Sequence, residues 1–202
     1  MRNGAGDRRG LSSAAVRIGI LGLIVAAAAV PPARAADNPW GEDSHWVSVR
    51  VGTAGSGARL ASSGSFGYGF SYTWFLSKQL AWSATAQHDV IGRYGAASEI
   101  DVPFTVEFTR HFGLSSIAEP YLGGGWGAAY HKTYLTGADE SGFRQGIYLA
   151  VGGNGLVNAG NLIGVDFRLM LEQDSRTLNP TFPNSHAATR NWSLKLSYSR
   201  VL

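Results

Sequence analysis

Phe66-Gly67-Tyr68-Gly69-Phe70-Ser71-Tyr72-Thr73-Trp74 sets an aromatic ring at every second position, with nothing larger than threonine between them. Successive side chains of a β-strand point to opposite sides, so Phe66, Tyr68, Phe70, Tyr72 and Trp74 share one face and Gly, Ser and Thr the other. The aromatic face must meet something apolar, either a protein core or lipid.

Outward from this run, the chain shows seven further alternating segments of about ten residues, separated by turn-rich stretches. Val47, Val49 and Val51 oppose Ser48 and Arg50. Leu80, Trp82, Ala84 and Ala86 oppose Ser83, Thr85, Gln87 and Asp89, and Ile100, Val102, Phe104, Val106 and Phe108 oppose Asp101, Thr105, Glu107 and Thr109. The glycine-heavy stretch 120–134 keeps Leu122, Trp126 and Tyr130 on one parity. Ile147, Leu149 and Val151 then oppose Arg144, Tyr148 and Asn154, and Ile163, Val165, Phe167, Leu169 and Leu171 oppose Asp166, Arg168 and Glu172. Trp192, Leu194, Leu196 and Tyr198 close the chain against Ser193, Lys195, Ser197 and Ser199. Pro103 lacks a ladder donor, and a bulge is expected there.

Period two alone also fits a soluble eight-stranded carrier. The polar parity decides between them. A soluble barrel needs a charged exterior, yet only 15% of the chain is charged and the polar face is mostly Gly, Ser, Ala and Thr. Small residues with scattered charges suit the interior of a narrow barrel. The expected fold is therefore all-β, an eight-stranded antiparallel up-and-down transmembrane β-barrel with the five aromatics facing lipid. The even strand number agrees with single-chain bacterial barrels. With a periplasmic N-terminus, connections 53–63, 92–99, 136–142 and 174–190 face outside, and the shorter 77–79, 113–116 and 158–161 face the periplasm.

Arg50, Asp89, Asp101, Glu107, Arg144, Asp166, Arg168, Glu172 and Lys195 then point inward. An unpaired charge walled off by lipid costs several kcal/mol, so a network of ion pairs and hydrogen bonds is expected among them.

Residues 1–35 read as an export signal, leaving 36–202 as a single barrel domain. Arg2, Arg8, Arg9 and Arg17 precede the apolar stretch 18–30, and Ala33-Arg34-Ala35 supplies a small-x-small cleavage site. That stretch is shorter than the roughly 20 residues a spanning helix needs. Five of the 17 basic and one of the 14 acidic residues lie in this leader, leaving 12 basic against 13 acidic beyond it. A near-neutral chain with no basic run offers nothing to nucleic acid. Absence of cysteine removes disulfide and thiolate chemistry.

With the segments laid out, the mature chain resembles the eight-stranded outer-membrane barrels of the OmpA-like and opacity-type porin family. The resemblance rests on Glu119-Pro120-Tyr121-Leu122-Gly123-Gly124-Gly125-Trp126-Gly127 and on the closing strand Leu194-Lys195-Leu196-Ser197-Tyr198-Ser199-Arg200-Val201-Leu202. The family usually ends in Phe, where this chain has Leu202. The resemblance implies the outer membrane of a Gram-negative bacterium. It also implies contact with outer-membrane lipids and lipopolysaccharide, and with the barrel-assembly machinery during biogenesis.

Small barrels of this kind include lipid A deacylases, which resemble one another in a His-x-Ser pair on the penultimate strand. Here that stretch, Val165 to Ser175, contains no His. Ser185-His186 are neighbours in the last outer connection, an arrangement that rarely makes a triad. His45, His88, His111, His131 and His186 show no ligand spacing, and Gly152-Gly153-Asn154-Gly155 is followed by neither Lys nor a helix. No catalytic group, cofactor or metal is expected. The expected role is non-enzymatic: a surface-interaction or adhesion barrel whose outer connections, 174–190 foremost, meet a host or cell-surface ligand. A narrow conduit for small solutes or ions is the alternative, and an acyl hydrolase of lipid A ranks third.

Overall fold

The computed structural model describes residues 38–56, 65–94, 97–113, 117–134, 140–158, 160–174 and 189–202. All belong to the second of the chain's two units, Pro32–Leu202. The export signal at 1–35 lies outside the described residues.

Eight strands follow in order: β1 (His45–Ser56), β2 (Phe66–Ser77), β3 (Leu80–Tyr94), β4 (Ala97–His111), β5 (Ala118–Tyr134), β6 (Glu140–Asn158), β7 (Asn161–Asp174) and β8 (Thr189–Val201). Each pairs antiparallel with the next, and β1 pairs with β8 to close the barrel. Strand order equals chain order, the up-and-down topology expected from the alternation.

Closure gives every strand one buried and one exposed face. In β2, Gly67, Gly69, Ser71 and Thr73 are buried while Phe70, Tyr72 and Trp74 are exposed, with Phe66 and Tyr68 half-buried on the same outer face. The outside is apolar, carrying Phe104, Phe108, Trp126, Phe143, Ile147 and Leu149, whereas the inside is mostly Ser, Thr and charged residues. A water-soluble protein arranges its surface and core the other way round.

The end with the short connections is sealed. Asn38 to Ser44 fold into a turn, and Asp43 N–H and Phe75 N–H bond to Phe75 O and Ser44 O. This brings Trp40 against Trp46, Phe75, Ala81, Leu162 and Val201. The Trp46 indole N–H donates to Pro39 O at 2.8 Å, fixing the segment over the mouth. In the tight β6–β7 connection, Gly160 takes φ +91°, a conformation that favours glycine.

Two expectations are corrected. Pro103 makes no bulge: Ala86 pairs with Phe104 and the same register resumes at Asp89 with Asp101. Pro103 also stays in register with Ala129 of β5, so its missing donor is absorbed without an extra residue. The shift in this strand pair falls instead between Val90 and Gly92. That shift takes Gly92 into β3 and lets Tyr94 pair with Ala97, so the connection expected over 92–99 shrinks to 95–96. The other connections at that end span 57–65, 135–139 and 175–188.

Candidate functional site

The chemistry-bearing residues converge in the barrel interior. At its centre Arg168 of β7 donates Nε to Asp166 Oδ1 and Nη2 to Glu107 Oε1, both at 2.8 Å, and Nη1 to Thr105 Oγ1 at 3.3 Å. Arg50 of β1 reaches Asp166 Oδ1 at 3.1 Å and Ser71 Oγ at 3.2 Å. The second oxygens of the two carboxylates are also satisfied: Tyr121 Oη donates to Asp166 Oδ2 at 2.6 Å and Tyr148 Oη to Glu107 Oε2 at 2.8 Å. Two cations against two anions, with every carboxylate oxygen bonded, is the condition under which buried ions are tolerated. Gly152 makes room for this: a Cβ there would sit 2.5 Å from Tyr121 Oη.

Lys195, fully buried on β8, forms a second group. Its Nζ lies 2.6 Å from Asp89 Oδ1 and also donates to Gln87. A Cβ on Gly67 would collide with the Asp89 carboxylate, which is why the small residues on β2 face this pair.

A third group lies towards the long-connection end. His131 stands between Asp101 Oδ1, 2.5 Å from Nδ1, and Glu99 Oε1, 3.2 Å from Nε2. Asn191 Nδ2 donates to Asp101 Oδ2 at 2.7 Å and to Glu172 Oε2 at 2.8 Å. Arg144 is looser, with Nη1 4.0 Å from Glu99 Oε1 and 3.9 Å from Glu172 Oε2.

All nine residues expected inside are inside; eight are buried and Arg144 is half-buried. The structure assembles them into three groups and adds partners that sequence reasoning did not enlist: Glu99, His131, Asn191 and Tyr121. Glu99 carries a legible signal, sharing the parity of Asp101. Tyr148 shares the inward parity of Arg144, and its hydroxyl joins the network through Glu107.

Among the described residues, small cavities lie between these groups. One cavity of about 30 Å³ is lined by Asp89, Asp101, Arg168, Glu172 and Asn191 among others. Another of about 20 Å³ is lined by Arg50, Tyr121, His111 and small hydroxyl residues. Each has room for about one or two waters. Among the described residues, no group of three or more His, Cys, Asp or Glu side chains stands ready to hold a metal. Ser175, Ser185 and His186 lie outside the described residues.

No protein-family model matches the chain, and no curated protein sequence matches it. Solved structures do match. Neisserial surface protein A is similar with a TM-score of 0.62 at 14% identity, over 77% of this chain and 96% of that one. The N-terminal β-barrel domain of Pseudomonas aeruginosa OprF gives 0.58 at 10% identity, over 80% and 99%. Ail, the attachment invasion locus protein of Yersinia pestis, gives 0.53 at 10% identity, over 80% and 99%.

The chain has the fold of the eight-stranded outer-membrane barrels. In that fold an apolar exterior is the lipid-facing belt, and aromatic residues gather towards its edges. An outer-membrane barrel of eight strands has an interior just wide enough for side chains to fill, as the ion-pair groups do here.

Proposed function

We propose that the chain is a non-enzymatic integral outer-membrane barrel of a Gram-negative bacterium, whose longer connections present a contact surface to lipopolysaccharide or to another cell. The apolar exterior around a charged, ion-paired interior carries this reading, because that inversion is stable only with lipid outside. The names of two structural neighbours, a surface protein and an attachment invasion locus protein, are in keeping with a contact role. The conduit alternative is disfavoured by the small cavities and by the Trp40–Trp46–Phe75 seal at one end.

Replacing 175–188 by a two-residue turn should leave the barrel folded and abolish binding of expressing cells to lipopolysaccharide-coated or host-cell surfaces. Binding that survives the exchange would remove the contact role from this connection. The same protein in planar bilayers should give no single-channel steps, and regular steps would restore the conduit.

A further inference from the structure

The outer wall of the barrel carries charge of one sign. Every strand carboxylate whose side chain is described belongs to the interior, while Arg110, Arg190 and Arg200 stand on the outward parity. At the short-connection end Arg110 has a second cation for company. Its Nη2 donates to Gln79 Oε1 at 2.7 Å, and His111 N–H bonds to Gln79 O at 2.8 Å, so the β2–β3 connection Lys78–Gln79 is tied to the end of β4. Lys78, Gln79 and Arg110 are all exposed, and among the described residues no carboxylate pairs with either cation. Leu80 of β3 and Leu122 of β5, both exposed, flank Arg110 in register, and Phe108 is the next outward residue of β4. Phe108 pairs in turn with Gly124, and Gly124 with Leu149. The wall is therefore low between two large apolar side chains, and an apolar trough leads from the two cations towards the middle of the barrel.

We propose that this corner binds an anionic phospholipid of the phosphatidylglycerol class from the periplasmic leaflet, with Arg110 and Lys78 on its phosphate and an acyl chain in the trough over Gly124. Arg110 spends one N–H on Gln79, and its remaining N–H groups can fork onto phosphate oxygens, while Lys78 adds a point charge. Gln79 holds the guanidinium in place before lipid arrives, which lowers the ordering cost of binding. A zwitterionic headgroup would bring its ammonium to a corner that already holds two unpaired cations, so charge complementarity selects a net negative lipid. The phosphates of lipid A offer similar chemistry but belong to the opposite leaflet, at the long-connection end. The inference rests on the outer-membrane reading for its leaflet and concerns the rim opposite the surface contact proposed there.

The test refolds the mature chain in detergent micelles containing equal amounts of phosphatidylglycerol and phosphatidylcholine with matched acyl chains. Native mass spectrometry then counts the lipids each barrel retains. Retention of phosphatidylglycerol in preference to phosphatidylcholine is expected. The preference should fall about fivefold for each cation removed, first in Arg110→Gln and again in Lys78→Gln/Arg110→Gln. Arg200→Gln, at the same rim but on the far side of β1, should leave it unchanged. Heat-dependent gel mobility confirms that each exposed-site variant is folded. Equal retention of the two lipids, a preference that survives loss of both cations, or one that Arg200→Gln abolishes would overturn the proposal. So would a preference for lipid A over phosphatidylglycerol that disappears with Lys78 and Arg110. A wild-type chain without heat-dependent mobility is a different result, which would overturn the barrel reading and the lipid site with it.

Discussion

Arg168→Met should destabilise the barrel by about 3–5 kcal/mol, the cost of leaving buried carboxylates without their cation. Arg168 is the only residue that bonds both Glu107 and Asp166 among the described residues, and methionine fills much of its volume while donating nothing. Asp166 keeps Arg50 and Tyr121, but among the described residues Glu107 keeps only the Tyr148 hydroxyl. The damage therefore concentrates on Glu107. Adding Glu107→Gln to Arg168→Met should recover a large part of the loss, because the penalty belongs to the stranded charge. Urea unfolding in micelles or liposomes measures all three proteins; a single variant within about 0.5 kcal/mol of wild type would mean the interior is hydrated enough to screen the pair.

Leu149→Arg should cost about 2–4 kcal/mol if the outside of the barrel faces lipid. Leu149 is 62% exposed and sits at the middle of β6, with Gly124 and Leu169 beside it in the neighbouring strands. On a water-facing surface the same substitution at an exposed position lies within about 0.5 kcal/mol of neutral. Folding free energies in liposomes separate the two cases. A companion change at the belt edge, Thr53→Arg, should cost much less, since the penalty for arginine decays towards the interfaces.

What the sequence discloses follows from the period of the side chains. Alternation is local, so the outward face of Phe70, Tyr72 and Trp74 and the inward set from Arg50 to Lys195 can be read from neighbours two residues apart. Pairing across the lumen is not local: Arg168 meets Glu107 at a separation of 61 residues and Arg50 meets Asp166 at 116. Those meetings depend on register, which shifts near Val90 and Leu156 with no residue type that announces it. Phe75 illustrates a different limit. Its parity places it inside among small residues, but only closure of the barrel creates the mouth that it fills with Trp40 and Trp46. Pro103 misleads for a related reason, because a missing donor requires a bulge only where the ladder has no other slack. His131 gives no spacing signal; it becomes a partner of Asp101 because β4 and β5 bring the two directly opposite.

In the proposed reading a closed barrel with a lipid-facing exterior surrounds a charge-paired interior. The full chain expressed in a Gram-negative host, with its membranes fractionated and the extracted protein run on a gel with and without boiling, tests this most directly. An outer-membrane band whose mobility changes on boiling is expected, because a closed barrel resists detergent until heated. A soluble periplasmic band that migrates alike in both conditions would contradict it.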